Sequence, residues 1–434
     1  MSVTDMLPLI ITFIGAFFLI RLRFFFIANP KAVIKRINNT VKDKSSRKSL
    51  ALALAGTLGV GNIVGVAYGI SVGGAGSLFW IFISGFFASV IKYAESSLAA
   101  DMLVRGRGGM MYVISASFNK CGKFLGTLYA FLCLLLSFSM GASLQSRSAV
   151  SAVRRLIKIN PAILALVFAV LCIAVVFGGA KKIENATSVL IPLSTIIYIT
   201  ICVFVIVTNI DNMPDVLSKI ISEAFDFTSA AGGVSVFLIS KSLKEGYSRG
   251  LLSNEAGAGT SAMAQTRSKS LVPSDVGLLG ATEVFFDTSL LCMLTGLAVL
   301  SSDSGAPLGE DGMEIVLSAV RASVGVFFEY TVILLVVAFA YSTVICWYYY
   351  GRECVEYLFA DRGSRVFFIV FILFSFIGFI IPESALIRVT DVILFIMSLL
   401  TVSALIKNSE RIVTLSEENG LLKKSDRGKK RMSR

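Results

Sequence analysis

Histidine is absent from this chain of 434 residues, and tryptophan occurs only twice. Without histidine, and without cysteines spaced beside carboxylates, the sequence gives no support to a transition-metal centre. The cysteines number seven, and several lie in apolar stretches, where a free thiol behaves as a small hydrophobic group. These are Cys133, Cys172, Cys202, Cys292 and Cys346. The odd count and these positions indicate no disulfide framework.

Two further motifs are missing. The phosphate-binding pattern GxxxxGK[ST] does not occur, so ATP-driven transport would require a second chain. No nucleophile and base are arranged for covalent catalysis, and schemes that depend on histidine are excluded. The sequence therefore predicts a protein that is not an enzyme and that carries no cofactor.

Charged residues are scarce, at 16%, whereas hydrophobic residues make up 55% and the mean hydropathy is +0.80. A soluble domain of this length cannot bury so much apolar surface, which predicts an all-α integral membrane protein. Crossing about 30 Å of hydrocarbon takes roughly 20 residues, and about eleven runs are long enough. The predicted spans are 8–27, 50–73, 77–103, 122–150, 160–179, 187–209, 230–247, 274–301, 316–350, 365–381 and 385–407.

The net charge of +12 comes from basic residues near the ends of these runs, which is the pattern that orients membrane proteins and not one that indicates nucleic acid. Residues 21–48 are rich in lysine and arginine and are predicted to be cytoplasmic. The amino terminus then lies outside, and the basic tail 408–434 lies in the cytoplasm near anionic lipid. A multi-pass protein of the plasma (inner) membrane is expected. The sequence does not determine its oligomeric state.

Residues 53–69 read ALAGTLGVGNIVGVAYG, an apolar run that carries five glycines. The small residues of Gly61–Gly65–Gly69 are compatible with close helix packing. However, Gly56, Thr57, Gly59 and Asn62 extend the cluster over all faces, which favours a helix that unwinds within the membrane. Freed N–H groups there would attract a carboxylate, and freed carbonyls would attract a small cation.

A second interruption is predicted in the span 230–247, where Gly232 and Gly233 break another apolar run. A plain bend is the alternative. Two interrupted helices would each open a group of five, giving a five-plus-five inverted repeat after one accessory helix. The corresponding regions are 1–48 with the accessory helix and a basic loop, 49–209 and 210–407 for the two repeats, and 408–434 for the tail.

Seven stretches resemble the alanine or glycine:cation symporter family, which has the leucine-transporter type fold. They are ALAGTLGVGNIVGVA from Ala53, KYAESSLA from Lys92, RGGMMYVI from Arg107, VFGGAKKIENAT from Val176, AAGGV from Ala230, SRGLLSNEAGAGTSA from Ser248 and FAYSTVICWYYYGRECVEYLF from Phe339. The resemblance implies sodium-coupled symport of small neutral amino acids by alternating access. Proton coupling and a transport-inactive, amino-acid-binding paralogue are the alternatives, and a channel is a further possibility.

The resemblance also implies site residues. Those expected to contact the substrate are Thr57, Gly59, Val60, Gly61, Asn62, Gln145, Gly232, Gly233, Ser235 and Trp347. Those expected to hold sodium are the carbonyls of Ala55 and Leu58 and the hydroxyls of Ser342 and Thr343, since a small hard cation prefers oxygen ligands. The alternatives are hydroxyls that bond to their own helix, an interhelical hydrogen bond for Gln145 and an interfacial position for Trp347.

Charged residues within the apolar runs are also candidates for function, because a charge inside the membrane is costly unless it is paired or faces water. Lys92 and Glu95 share a helix face and could pair, whereas the resemblance implies that Glu95 accepts hydrogen bonds from unwound backbone. Any proton coupling would use a carboxylate such as Glu283, Asp287 or Asp391. The polar segment 241–267 is predicted to be a cytoplasmic loop with a short helix that latches the inner gate, in which Arg249 could pair with Glu255. A passive connector is the alternative. The side chains expected to form the latch are Arg249, Asn254 and Glu255.

One stretch departs from the family pattern. GGVSVF at 232–237 places valine and phenylalanine where small residues are usual, so the side-chain pocket is expected to be reshaped. The sequence leaves open which amino acid, which enantiomer and which coupling ion are used.

Overall fold

A computed structural model describes residues 7–226, 240–269, 272–304, 311–360 and 362–423. These residues form helices and no named strands. The helices are α1 (Leu7–Arg21), α2 (Phe25–Ala28), α3 (Pro30–Thr40), α4 (Lys44–Thr57), α5 (Val64–Gly73), α6 (Gly76–Asp101), α7 (Met110–Ser117), α8 (Gly122–Leu136), α9 (Gln145–Leu156), α10 (Pro161–Val176), α11 (Gly179–Thr208), α12 (Met213–Ala224), α13 (Lys241–Asn254), α14 (Ala262–Gln265), α15 (Pro273–Val284), α16 (Met293–Ser301), α17 (Gly312–Val324), α18 (Val326–Phe359), α19 (Ser364–Ile377), α20 (Glu383–Lys407) and α21 (Ser409–Glu418).

Within the described ranges, 6 helical stretches are long and apolar enough to cross a membrane. They are Gly76–Asp101, Gly122–Leu156, Gly179–Thr208, Pro273–Ser301, Val326–Phe359 and Glu383–Lys407. Shorter apolar helices accompany them, among them α5, α10 and α19. The predicted all-helical, multi-pass membrane class is therefore confirmed.

The first interruption lies between α4 and α5. Asp43 caps the start of α4 by accepting a hydrogen bond from the Ser46 amide, and donation from Ser45 and Ser46 holds the pKa of Asp43 below its ordinary value. The helix ends at Thr57, a single 3-10 turn covers Val60–Asn62, and α5 begins at Val64. Helical hydrogen bonding is thus lost where the glycines cluster, because glycine gains least from a helical backbone.

The second interruption separates α13 from α14 at residues 255–261. Glu255, Gly257 and Gly259 all adopt left-handed backbone angles there, which ends α13. The predicted break at Gly232 and Gly233, with the neighbouring Ser235, lies outside the described residues.

The segment 241–267 is mostly helical, as α13 and α14, and more extensively so than the short helix predicted within a cytoplasmic loop. One face of α13 is buried, and the cytoplasmic position of the segment stays a prediction. Gly246 and Gly250 lie directly against α6, where a methyl group on Gly246 would come within 2.5 Å of the Ser77 carbonyl oxygen. Such small residues let two backbones approach closely. Several of its polar side chains, such as Ser253, Asn254 and Gln265, bond within the protein, whereas Lys241, Lys244 and Ser248 are exposed.

This contact gives a stability prediction. Gly246→Val should destabilise the protein by about 1–3 kcal/mol, because the added carbons must displace α6 backbone. The matched control is Gly65→Ala, since a methyl group at Gly65 would have no neighbour within 4 Å. Thermal unfolding of both purified variants in detergent checks the difference. Equal midpoints would show that α13 and α6 are not tightly packed here.

Two long helices contain π-helical segments, at Ser137–Leu144 after α8 and at Phe285–Cys292 after α15. Such segments often occur at functional sites because they redirect side chains. In the first, Gly141 lies against the Trp347 side chain of α18. In the second, Asp287 faces the helix interruptions. Both segments therefore lie beside the region from which a site can be built.

Part of the predicted basic tail is helical, since residues Ser409–Glu418 form α21. The Tyr93 hydroxyl of α6 lies 2.7 Å from the Ser416 hydroxyl, and Arg411 donates to both carboxylate oxygens of Asp101. These contacts fix α21 to one end of α6.

Candidate binding site between two interrupted helices

Asn62 joins the first interruption to the end of α13 and to the second π-helical segment. Its side chain is 1% exposed, and its Oδ1 accepts a hydrogen bond from the Gly59 amide at 3.1 Å. Its Nδ2 donates to the Ser253 hydroxyl at 2.9 Å and to the Asp287 carboxylate. In this conformation the Asn62 amide therefore holds the first interruption against α13 and the second π-helical segment.

Asp287 is the other centre of this network. Its carboxylate is fully buried and also accepts hydrogen bonds from the hydroxyls of Ser253 and Thr288, each at 2.8 Å. Several donors around one carboxylate offset the loss of water. The sequence singled out Asp287 only as a titratable group, and it gave no signal for Ser253 beyond the polar SNEAG motif. Asn254 extends the network by donating to Thr288 at 3.2 Å.

The predicted sodium residues lie where α18 passes the first interruption. The Thr343 hydroxyl is 3.4 Å from the Leu58 carbonyl oxygen, and it also bonds to the Phe339 carbonyl of its own helix at 2.9 Å. Ser342 bonds to the same Phe339 carbonyl at 2.8 Å. Ala55 is fully buried one turn before Leu58. Thr343 and Leu58 thus offer two oxygens close enough to share one cation.

The predicted substrate residues around Gly59 also come together. A methyl group on Gly59 would lie 3.2 Å from the Thr343 hydroxyl and 3.5 Å from the Gln145 Oε1 atom. That Oε1 atom is buried and has no hydrogen-bond partner in the part of the chain that the structure describes. Thr57 and Val60 are buried beside it. The freed backbone and the Gln145 amide therefore face one another.

Trp347 is the large aromatic side chain that α18 contributes to this region. It is completely buried, which excludes the interfacial alternative, and its ring stacks edge-on against Tyr350 at 5.3 Å. Its indole Nε1 and the Tyr350 hydroxyl have no hydrogen-bond partners among the described residues. Buried polar groups are normally satisfied. These two donors are available to a bound solute.

The face of α5 beyond the interruption is more open. Gly61 has no atom within 4 Å of the position of an added methyl group, and Tyr68 is 40% exposed. The Arg249 guanidinium lies over the Tyr68 ring at 4.8 Å and pairs with Glu245 at 3.1 Å. The predicted pairing of Arg249 with Glu255 is therefore wrong, because Glu245 shares a face of α13 one turn away whereas Glu255 lies beyond the helix end.

Lys92 and Glu95 of α6 contact the second interruption. The Lys92 ammonium donates to the Ser261 hydroxyl at 2.6 Å and pairs with Glu283 at 3.4 Å. Glu95 accepts a hydrogen bond from the Gly257 amide at 2.7 Å. No ion pair joins Lys92 to Glu95 in the described ranges, so the pairing interpretation is wrong. Glu95 instead supports the unwound backbone.

A cavity of about 950 Å³ opens beside α14 and α18. Tyr349 and Met263 form its inner end, and basic side chains surround its mouth. Among these, Arg107 pairs with Glu353 at 3.3 Å, and Arg267 bonds to Glu184. Of the interrupted helices, the cavity borders α14 through Met263.

The sequence profile of the sodium:alanine symporter family matches residues 1–431. The sodium/alanine symporter AgcS of Methanococcus maripaludis is 32% identical over 389 residues, which cover 84% of this chain and 83% of that protein. The amino-acid carrier protein AlsT of Bacillus subtilis is 31% identical, over 80% of this chain and 74% of that protein. These relatives are transporters and not enzymes.

Solved structures show the same fold at low sequence identity. MhsT, crystallised in complex with L-phenylalanine, is 14% identical with a TM-score of 0.62, over 89% of this chain and 94% of its own. A Na+-coupled sialic acid symporter matches with a TM-score of 0.52 at 12% identity, over 96% of this chain and 86% of its own. The fold is of the leucine-transporter type. By the match over nearly its whole length, the chain belongs to the sodium:alanine symporter family.

Proposed function

We propose that this protein is a secondary active transporter that carries a small neutral amino acid, such as alanine or glycine, together with sodium. The observation that carries the proposal is the Asn62 network, which holds the first helix interruption, inside the protein, against the end of α13 that leads into the second. Backbone N–H and C=O groups without helical partners can there receive a zwitterion and a cation. The sodium/alanine activity named for AgcS supports the substrate class.

The order of helices supports a five-plus-five repeat of about eleven spans. After α1, the first unit is α4 with α5, and the matching unit of the second half is α13 with α14. The following units are α6, α8 with α9, α10 and α11 in the first half, and α15 with α16, α18, α19 and α20 in the second. With the basic region 21–48 in the cytoplasm, the amino terminus lies outside and α21 inside.

The proposed binding mode uses the backbone of the first interruption and the polar groups around it. The substrate carboxylate lies at the amides of residues 59–61, where the start of α5 contributes partial positive charge. Gln145 and Trp347 face the other groups of the substrate. Sodium is held by the carbonyls of Ala55 and Leu58 with the α18 hydroxyls of Ser342 and Thr343, which must rotate away from Phe339. The large cavity beside α14 provides the cytoplasmic path.

Uptake into proteoliposomes tests this function. Radiolabelled alanine or glycine should accumulate when a sodium gradient is imposed and should only equilibrate without one. Empty liposomes and a sodium ionophore provide the controls. If no amino acid in a broad panel accumulates under the gradient, the symporter proposal fails.

Thr343→Ala should raise the sodium concentration for half-maximal uptake about tenfold, since losing one oxygen contact costs about 1–1.5 kcal/mol. The matched control is Thr331→Ala on the same helix, because Thr331 is also bonded to its own backbone but is exposed. Sodium titration of alanine uptake measures both variants. Unchanged sodium dependence in Thr343→Ala would place the cation elsewhere.

A further inference from the structure

Buried acidic charge exceeds buried basic charge at the second interruption. The ionisable groups that are no more than 2% exposed there are the ammonium of Lys92 and the carboxylates of Glu95, Glu255, Glu283 and Asp287. If all were ionised, the site would hold four negative charges against one positive charge. Each uncompensated buried ion costs several kcal/mol. At least one carboxylate must therefore be neutralised.

Two of these carboxylates, Glu283 and Asp287, are well bonded. Glu283 pairs with Lys92 and accepts a hydrogen bond from the Gln265 amide at 2.9 Å. Asp287 accepts hydrogen bonds from three side chains. Glu95 accepts one hydrogen bond, from the Gly257 amide. Donors of this kind stabilise the ionised form.

Glu255 has fewer donors than Glu283 and Asp287. Its Oε2 accepts one hydrogen bond, from the Thr260 hydroxyl, whereas its Oε1 is buried without a partner among the described residues. It also has a left-handed backbone conformation, with φ of 53°, which a non-glycine residue rarely adopts. Glu95 has the same shortage, since its Oε2 is also buried without a partner among the described residues. Of these two least compensated carboxylates, Glu255 is the one that lines the small cavity beside α13.

Glu255 also lines a cavity of about 90 Å³ between α1, α13 and α20. Lys244, Ser248 and Leu251 share the wall with it, on one face of α13. This volume corresponds to about three water molecules in the liquid. The cavity is separate from the larger one beside α14, so it reaches the interruption from a different direction.

Across the same cavity α20 presents Asp391 and Ser398. Asp391 is partly buried and has no hydrogen bond or ion pair in the ranges that the structure describes. Arg249 is the cation that acts on it electrostatically. The cavity thus places the Asp391 carboxylate and the Ser398 hydroxyl near Glu255, with room for water between them.

We propose that Glu255 is a proton-binding site, loaded through Asp391, and that its proton moves with the solute. In the loading step the Asp391 carboxyl gives up a proton through cavity water to the Glu255 carboxylate, so Glu255 becomes neutral and Asp391 ionised. The charged and titratable groups around the pair are Lys92 and Glu95 from α6, Tyr129 from α8, Glu283 and Asp287 from the α15 side, Cys346 and Tyr350 from α18, and Arg249 and Lys244 from α13. Neutral Glu255 reduces the buried negative charge with no additional ligand. The solute part of this inference rests on the proposed function.

Substrate-driven proton movement tests the proposal. The full chain is reconstituted in liposomes that contain a pH-sensitive dye, with the membrane potential clamped at zero. External alanine should acidify the lumen with wild-type protein. Glu255→Gln should abolish this acidification while retaining alanine counterflow, and Asp391→Asn should slow it about tenfold. A pH gradient of about one unit should raise wild-type alanine accumulation by up to about tenfold per proton, and this gain should vanish in Glu255→Gln.

The matched control is Asp215→Asn, an exposed carboxylate on α12 that should leave every rate unchanged. Two outcomes would overturn the proton site and leave the symporter intact. One is sodium-driven alanine uptake by the wild-type protein without proton movement, and the other is acidification at the wild-type rate in Glu255→Gln. Absence of alanine transport in wild type would instead overturn the proposed function. Infrared spectroscopy separates the two questions, because a pH-dependent protonated-carboxyl band that persists in both variants overturns the proton site independently of transport.

Discussion

Replacing Asn62 with leucine should reduce sodium-driven alanine uptake by about two orders of magnitude. Leucine has nearly the same size but removes the acceptor for the Gly59 amide and the donor to Asp287. Each buried group left unsatisfied costs about 1–3 kcal/mol, and more when it is charged. A combined cost of about 3 kcal/mol corresponds to roughly a hundredfold change in occupancy of the intact site.

The measurements are initial uptake rates and equilibrium alanine binding to the purified variant. The network holds the first interruption in shape, so both should be lost together. Because the transmembrane helices bury their own apolar surfaces, the variant should still purify as a monodisperse protein.

Asn408→Leu is the matched control. Asn408 also donates to a hydroxyl and a backbone carbonyl, those of Ser117 and Ala404, but at the end of α20 and away from both interruptions. Its uptake should stay near the wild-type rate. Wild-type affinity in Asn62→Leu would show that the solute binds elsewhere.

Replacing Lys92 with methionine should destabilise the protein by about 3–5 kcal/mol. Methionine fills a similar volume, but Glu283 would lose its ion pair and remain as an uncompensated buried charge. Ser261 would also lose its contact with the ammonium. Because unfolding of membrane proteins is commonly irreversible, the readout is the fraction that remains monodisperse after heating.

A second substitution separates charge from packing. Adding Glu283→Gln to Lys92→Met should recover much of the lost stability, because it removes the charge that was left unpaired. The control is Lys219→Met, whose exposed pair with Glu223 is worth no more than about 1 kcal/mol. If the two core substitutions only add their losses, the buried ion pair is not the source of the stability.

The first interruption could be predicted from sequence because its cause is local. Gly59, Gly61 and Asn62 lie within a few residues of one another, and glycine weakens a helix wherever it occurs. The membrane class has an equally local cause, since the hydropathy of a run fixes whether it can enter lipid. Motifs such as SNEAGAG then identified the family, although they did not show what the motif does.

The interruption at 255–261 was not predicted from the sequence. The predicted break at Gly232 and Gly233 lies outside the described residues and stays a prediction. The sequence interpreted 241–267 as a cytoplasmic loop, because polar composition alone does not distinguish solvated groups from groups bonded inside a protein. The structure shows α13 buried against α6, with the break at 255–261.

Partner choice likewise depended on the tertiary structure. Asn62 bonds to residues about 190 to 225 positions away, and Lys92 pairs with Glu283 and not with its neighbour Glu95. Sequence determined which segments are apolar and where one helix is weak, since both are properties of neighbouring residues. Only the folded chain decided which buried carboxylates obtain donors and which one, Glu255, borders a cavity, because those outcomes depend on how distant helices pack.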